Sequence, residues 1–332
     1  MVEFLLYSLA WGSALALMAC GLSLYYAVSK VANFAHGEYA SFGVIAYLYT
    51  IALLNGIAKC RGFGIVDTAA LTPSSLWVLA PVFLVGACVA AVSFVAVFWP
   101  LMRRGARPLQ LMVASIGLML ILRFILYFAA SSMDWLSLPS PGSTVYTLAG
   151  VRVELSWVTS IVLALAATVV VALFTTRTLL GVSLRAVADN PDLAETSGVN
   201  SFRVQLLAWS IGGGLAAVGG ALMFILTGPP GERPIVELGW MNLLPIFAAA
   251  TLGGLGSFYG TYAGSLILGL AFNEVASILL NMGLDPQLAL AVPFGVTLLV
   301  LLFMPQGLAG LDWSRLVERI QAVKLVRVGS WR

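Results

Sequence analysis

Residues 76–104 read LWVLAPVFLVGACVAAVSFVAVFWPLMRR, and this stretch decides the class of the fold. No charged residue occurs between Leu76 and Trp99, whereas Arg103 and Arg104 follow soon after. A helix needs about 20 consecutive apolar residues to cross the roughly 30 Å hydrocarbon core of a bilayer. The stretch therefore predicts a transmembrane helix that ends in a basic loop.

The same character extends over the whole chain. Of the 332 residues, 61% are hydrophobic and 9% are charged, and the mean hydropathy is +1.00, whereas soluble domains carry about 25% charged residues. Because the apolar residues come in long runs, the sequence predicts an all-α, polytopic integral membrane protein. This composition excludes soluble enzymes, nucleic-acid-binding proteins, secreted disulfide-rich domains and disordered chains. The cysteines Cys20, Cys60 and Cys88 lie far apart and are interpreted as inert thiols.

The apolar runs predict eight or nine membrane helices. Two runs, Phe34–Leu54 and Met241–Leu255, are candidates for broken or re-entrant helices, because the first begins beside polar residues and the second is short and runs into a glycine-rich stretch. The nine predicted spans are Phe4–Val28, Phe34–Leu54, Leu76–Trp99, Leu109–Ala129, Trp157–Phe174, Leu206–Thr227, Met241–Leu255, Tyr262–Asn281 and Leu288–Met304.

Lysine and arginine are concentrated in alternate loops. The connections 102–108 and 175–205 and the tail after Pro305 are basic, so the positive-inside rule predicts that they are cytoplasmic. The less basic connections 131–156 and 228–240 are predicted to lie outside. With nine crossings the N-terminus lies outside, and with one re-entrant segment it lies inside. We expect one transmembrane domain over residues 1–332, with loop 175–205 and tail 306–332 on its cytoplasmic face.

The loop 175–205 predicts two short helices. Asn190 suits an N-cap, Pro191 suits the first helical position, and Gly198 suits the left-handed residue after the helix. Ser183–Asp189 is predicted to form the preceding helix, with Arg185 on its polar side. Such a pair is either a docking surface for a cytoplasmic partner or a well-capped connection without one.

The chain contains no ATP-binding P-loop. Such a loop needs Gly-Lys-Ser/Thr, and none of the lysines, Lys30, Lys59 and Lys324, follows a glycine. Any energy coupling must therefore come from a partner protein or an ion gradient. The tail 306–332 predicts a basic amphipathic helix at the inner membrane surface.

Polar residues cluster where the second span begins. Asn33, His36 and Glu38 are costly inside a membrane unless they face a cavity or a partner. They either line a transport pathway or its gate, or form an internal hydrogen-bond network in which Asn33 caps the helix. Gly37 and Gly43 would let another helix approach closely. No metal site is expected, since His36 is the only histidine.

A second glycine-rich segment begins at the end of the seventh predicted span. It allows close helix packing or a discontinuous helix, and together with Gly37–Gly43 it is typical of inverted repeats that flank a substrate path. Its glycines are Gly253, Gly254, Gly256, Gly260 and Gly264.

Two charged residues lie deep within predicted spans. A charge at the bilayer centre costs at least about 2.5 kcal/mol unless it is shielded. Arg123 and Glu274 are therefore expected to face protein. They could pair with each other, with Glu38, or with a residue across a subunit interface, and a structural ion pair or snorkelling is the alternative to a functional role.

Three motifs, taken together, resemble the branched-chain amino acid ABC transporter permeases of the LivH/LivM type, and LivH more closely. The first is the loop Gly181-x3-Arg185-Ala186-x3-Asn190-x3-Ala194-x3-Gly198, similar to that family's coupling loop. The others are Asn33-Phe-Ala-His-Gly-Glu38 and Gly253-Gly-Leu-Gly-Ser257.

The resemblance implies one subunit of a heteromeric importer in a bacterial inner membrane, with no enzymatic activity and no cofactor of its own. Its implied partners are a second homologous permease, two cytoplasmic ATP-binding subunits that hold ATP and magnesium, a periplasmic substrate-binding protein and the lipid bilayer, but no nucleic acid. The implied ATPase-docking residues are Gly181, Arg185, Ala186, Asn190, Ala194 and Gly198. The candidates for the pathway or gate are Asn33, Phe34, His36, Gly37, Glu38, Gly253, Gly254 and Gly256.

Three alternatives remain at this point. Relatives in the family include permeases for urea and short amides. An ion-coupled carrier or channel would need acids near the midplane, for which Glu38 and Glu274 are candidates. A membrane-embedded enzyme would need convergent catalytic groups, which one histidine and scattered acids do not supply.

Overall fold

A computed structural model describes residues 1–54, 71–138, 143–148, 150–227 and 233–310. Nearly all of this part of the chain is helical. The helices are α1 Val2–Ser29, α2 His36–Leu54, α3 Leu79–Ser93, α4 Trp99–Arg103, α5 Pro108–Ser132, α6 Leu155–Arg177, α7 Leu179–Asp189, α8 Pro191–Thr196, α9 Ser201–Leu226, α10 Leu238–Gly253, α11 Phe258–Asn281 and α12 Ala291–Phe303.

Short elements complete the description. A π-helical turn, Phe94–Phe98, joins α3 to α4, and 3₁₀ turns occupy Pro73–Val78, Pro286–Leu290 and Leu308–Gly310. Two small antiparallel sheets pair β1 (Ser137–Leu138) with β4 (Arg233–Pro234) and β2 (Val145–Leu148) with β3 (Val151–Glu154).

The predicted all-α membrane bundle is confirmed. Among the described residues, eight helical segments are long and apolar enough to cross a membrane, and α10 is a shorter apolar helix. The third of the eight, Pro73–Arg103, runs through the π-helical turn without a break. The short span predicted at 241–255 is α10, which begins three residues earlier because the apolar run already starts at Leu238.

Contacts between connections define two ends of the bundle. At one end, which we name the hairpin end, the Glu3 carboxylate accepts a hydrogen bond from the Arg152 backbone N–H at 2.7 Å, and β1 pairs with β4. At the other end, named the basic end, the Trp99 and Phe202 rings lie 5.0 Å apart, so the basic 104–107 connection lies beside the start of α9. Cytoplasmic placement of the basic end stays a prediction from the positive-inside rule.

Helix α9 forms the centre of the bundle and is almost completely buried. Its glycines meet small residues of three neighbours: a Cβ on Gly212 would overlap the Gly21 backbone of α1, and one on Gly220 would overlap Ala40 of α2. Gly213 likewise lies against Gly86 of α3. Lipid tails are as apolar as leucine, so membrane helices gain stability from such close van der Waals packing.

Two breaks in the helices lie near the predicted segments, and one of them is at the predicted position. After α1, Lys30 adopts a left-handed conformation with φ of 54°, and α2 begins only at His36. Gly37 and Gly43 lie inside α2 and do not interrupt it, so this break precedes the predicted position. The second break is at the predicted glycines: α10 ends at Gly253, and α11 begins at Phe258. An inverted-repeat relationship stays a prediction.

Candidate functional site

The polar residues before α2 form an internal network. The Asn33 Oδ1 atom accepts a hydrogen bond from the Ala35 N–H at 3.0 Å, and the Asn33 amide donates to the Tyr39 hydroxyl at 3.2 Å. His36 Nε2 donates to the Met18 carbonyl of α1 at 2.8 Å. Asn33 and His36 are both fully buried. The structure therefore places both side chains in the internal network that the sequence left as one of two interpretations.

Phe34 connects this network to two other helices. Its backbone N–H donates to the Ser115 hydroxyl of α5 at 3.0 Å, and its ring stacks on Phe247 of α10 with 5.3 Å between the centroids. The start of α2 is thereby fixed between α5 and α10.

Helices α2 and α10 begin beside each other. A Cβ on Gly37 would lie 2.5 Å from the Gly239 carbonyl oxygen. The Ser41 hydroxyl donates to the Val236 carbonyl at 3.0 Å and accepts from the Gly239 N–H at 2.9 Å. Because the N-terminal end of a helix carries a partial positive charge, this meeting point favours acidic side chains.

Among the side chains that the structure describes, Glu38 and Glu237 are the acids at this point, and Arg123 of α5 lies between them. An Arg123 Nη atom donates to Glu237 Oε2 at 2.9 Å, and Arg123 Nε lies 3.7 Å from Glu38 Oε1. The Tyr127 hydroxyl donates to the other Glu237 oxygen. The Trp240 ring lies 5.1 Å from the guanidinium carbon, a cation–π distance. We name these five residues the charge cluster.

The members of the charge cluster differ in accessibility. The side chain of Glu38 is 1% exposed, that of Arg123 14% and that of Glu237 27%. Neither carboxylate oxygen of Glu38 accepts a hydrogen bond from any described residue. Glu237 and Trp240 therefore form the surface-exposed side of the charge cluster, and Glu38 lies at its buried side.

Arg123 and Glu274 do not pair with each other. Arg123 contacts Glu38, one of its expected partners, and Glu237, which the sequence analysis did not single out. Glu274 is exposed on α11, because Asn273 turns inward and donates to the Gly269 carbonyl at 2.8 Å, which directs the next residue outward. Among the described residues Glu274 thus does not face protein, and of its expected partners only one in another subunit remains.

The second set of pathway candidates lies elsewhere. Gly254 and Gly256 have φ values of 99° and 90°, which explains glycine at both positions. The Gly256 N–H donates to the Ser23 hydroxyl of α1 at 3.0 Å, and Gly254 lies against Gly307. This turn follows Gly253 at the opposite end of α10 from Glu237, so the structure does not bring the two sets of candidates together.

The predicted caps of the loop 175–205 are confirmed. The Asn190 side chain accepts from the Leu193 N–H at 3.0 Å and begins α8. Gly198 has φ of 86°, and the Val199 N–H donates to the Ala194 carbonyl at 3.0 Å, which is the Schellman arrangement. Helix α7 begins at Leu179, four residues earlier than predicted.

The early start of α7 follows from a cap that the sequence analysis missed. The Thr178 hydroxyl accepts a hydrogen bond from the Gly181 N–H at 3.0 Å. A Cβ on Gly181 would overlap the backbone of Phe174 and Thr175, so glycine is needed for the tight turn from α6 into α7.

The two short helices have distinct faces. Gly181, Leu184, Val187 and Ala194 are buried against the bundle, and Ala186 is half-buried. Arg185, Asn190 and Gly198 are exposed. The same outer surface also carries exposed leucine and valine side chains: Leu179, Leu180, Val182 and Leu193. We name the exposed surface of α7 and α8 the basic-end platform.

Comparison with known proteins identifies the family. The family model described as "Branched-chain amino acid transport system / permease component" matches residues 4–301. The chain belongs to this permease family. The permease is 30% identical over 320 residues to the high-affinity branched-chain amino acid transport system permease protein LivH of Salmonella typhimurium, covering 90% of this chain and 92% of the relative.

Two further relatives have similar names. LivH of Escherichia coli is 29% identical over 90% of the permease and 92% of its own length. The permease protein BraD of Pseudomonas aeruginosa, also named for high-affinity branched-chain amino acid transport, is 29% identical over 93% of this chain and 95% of its own. Among solved structures, PsaBC from Streptococcus pneumoniae in complex with Fab aligns at a TM-score of 0.44 and 11% identity, over 91% of the permease and 92% of that chain.

Some predicted features lie outside the described residues. These are Cys60, Lys59 and the part of the predicted amphipathic tail after Gly310. Their roles stay predictions from the sequence.

Proposed function

We propose that the permease forms part of the membrane pathway of an ABC importer for branched-chain or related amino acids. Two separate ATP-binding subunits dock on the basic-end platform, a second homologous permease completes the pathway, and a periplasmic protein delivers the substrate to the hairpin end in the inner membrane of a bacterium. The permease itself catalyses no reaction and binds no cofactor, since ATP and magnesium belong to the docked subunits.

The observation that carries this proposal is the basic-end platform. It exposes leucine and valine side chains beyond the end of α6, together with the charged residues Arg185, Asp189, Asp192 and Glu195. Exposed apolar groups rimmed by polar ones are typical of protein–protein interfaces. A plain connecting loop would have no need of them.

The basic-end platform is also fixed to the helices of the bundle, so that a movement of α7 would be passed on to them. Its inner face is fixed because Leu184 and Val187 are buried, and because Gly181 lies against the last turn of α6. Helix α7 further contacts α1 and the central helix α9. A movement imposed on α7 by a docked subunit would therefore pass directly into the core of the bundle and switch access from one side of the membrane to the other.

The substrate assignment rests on the relatives. Their names concern branched-chain amino acids, which supports an amino-acid cargo over urea or short amides. An ion-coupled carrier is less well supported, because Glu274, one of its two candidate acids, is exposed on α11.

The test is reconstitution in proteoliposomes. We expect ATP-driven leucine accumulation only when the permease is combined with the ATP-binding subunits, the second permease and the binding protein. Accumulation by the permease alone would contradict the proposal.

Docking is tested by Arg185→Glu, with Arg152→Glu as the matched control. Both arginines are exposed, but Arg152 lies at the hairpin end. Arg185→Glu should reduce copurification of the ATP-binding subunits at least tenfold, and Arg152→Glu should leave it unchanged. Equal copurification for the two variants would remove the platform as the docking site.

A further inference from the structure

The charge cluster has one carboxylate more than it has cations. With both acids ionised, Glu38 and Glu237 share the single guanidinium of Arg123, which leaves one net negative charge. Glu38 is the less well compensated of the two, because Glu237 also accepts hydrogen bonds from Arg123 and Tyr127. An ionised carboxylate that is buried without hydrogen bonds is strongly disfavoured, so Glu38 is stabilised either by a proton or by a further positive partner.

From this arrangement we infer that the charge cluster binds the ammonium group of the transported amino acid. The inference rests on the proposed function and names the place in the membrane where its substrate is held. A primary ammonium has three N–H donors, and Glu38 offers two oxygens that accept no hydrogen bond from a described residue. Glu237, the more exposed acid, meets the ammonium first.

The neighbouring groups suit the rest of an apolar zwitterion. Arg123 carries five N–H donors in a planar fork that matches a carboxylate. Trp240 is 47% exposed beside it, so apolar surface is present for an aliphatic side chain. Ammonium, carboxylate and apolar body each find a counterpart within this one cluster.

A metal ion is a poorer occupant. The described residues contain no group of three or more His, Cys, Asp or Glu side chains that could hold a metal ion. A guanidinium beside the two acids would also repel a divalent cation, whereas in a zwitterion the carboxylate compensates it.

The test uses the assembled transporter in nanodiscs without its binding protein, and ligand-observed saturation-transfer NMR. The probes are L-leucine, L-leucinamide, which keeps the ammonium but lacks the carboxylate, and 4-methylpentanoate, which lacks the ammonium. We expect leucine and leucinamide to bind and 4-methylpentanoate not to bind. The inference is overturned if 4-methylpentanoate binds as strongly as leucine, or if neither ammonium probe binds. Both outcomes are measured on the unaltered protein.

Variants locate the site. Glu237→Gln should weaken leucinamide binding at least tenfold, and Glu237→Asp should retain most of it. The control is Asp134→Asn, which removes an exposed acid of the hairpin end where φ is 58°, a conformation that asparagine tolerates. Unchanged leucinamide binding in Glu237→Gln overturns the inference. If Glu237→Gln fails to assemble, Glu38→Gln is measured instead, with the same expected loss.

ATP-driven uptake by the unaltered transporter separates the two proposals. Leucine uptake without the expected probe selectivity would refute the ammonium site and leave the importer intact. Leucinamide binding that depends on Glu237, without leucine uptake, would refute the importer and leave the site.

Discussion

Gly37, one residue into α2, and Gly239, one residue into α10, meet backbone to backbone in the interior of the bundle. This contact brings the starts of two helices together and places Glu38 and Glu237 on either side of Arg123. Glu38 and Glu237 can therefore lie this close together because neither Gly37 nor Gly239 carries a Cβ atom.

The first prediction concerns this contact. Gly239→Val forces a branched side chain into the Gly37 backbone, and overpacking of this kind costs typically about 1–3 kcal/mol. We expect a lower unfolding temperature in detergent and loss of the charge-cluster geometry. The control is Gly117→Val on α5, where a Cβ meets nothing within 4 Å. Equal unfolding temperatures for the two variants would contradict the close contact.

The second prediction concerns the cation of the cluster. Arg123→Leu leaves Glu38 and Glu237 without their counterion, and removal of one partner of a buried ion pair costs about 3–5 kcal/mol. The double variant Arg123→Leu with Glu38→Gln should recover part of this loss, which a double-mutant cycle of unfolding free energies measures. A strictly additive cycle would show that Arg123 and Glu38 do not interact.

The third prediction concerns the end of α8. Gly198→Val places a β-branched residue at φ of 86°, and such strain costs of order 1–3 kcal/mol. The platform should lose its shape, and transport should be uncoupled from ATP hydrolysis. Gly198→Asn is the control, because asparagine adopts left-handed conformations. The measurement is the number of leucine molecules transported per ATP, which should fall for valine and hold for asparagine.

The fourth prediction concerns an aromatic cluster in the basic half of the bundle. The buried Trp209 ring stacks on Tyr25 at 4.3 Å and lies 4.6 Å from the ring of Phe98. Trp209→Ala should lower the unfolding free energy by about 3–5 kcal/mol, as for other large core truncations. Trp77→Ala removes a ring that is 55% exposed and should change it by less than about 1 kcal/mol. Similar losses in both would argue against the buried position of Trp209.

The sequence predicts the features that depend on neighbouring residues. Apolar runs are sufficient for the membrane spans, and the caps at Asn190 and Gly198 follow from local backbone chemistry. Thr178 was missed, although a threonine three residues before Gly181 is a signal for a cap of the same kind.

Features that depend on contacts between residues far apart in the sequence could not be predicted from the sequence alone. Glu237 belongs to a connection in the sequence, and only the packing of α10 against α5 brings it to Arg123. The central position of α9 is another example, because the glycines at 212–214 indicate close packing but do not say which helices approach them. Both depend on three-dimensional pairing of helices that a single sequence does not specify.

The hydrogen bond from the Arg152 N–H to Glu3 fixes the start of α1 at the hairpin end. Gly307 lies against Gly254, in the turn that contacts the second half of α1 at the basic end. The chain therefore crosses the membrane an odd number of times between Glu3 and Gly307. Reporters fused before Glu3 and after Gly310 will therefore lie on opposite sides of the membrane. A fluorescent protein that matures only in the cytosol will be fluorescent in one fusion and non-fluorescent in the other.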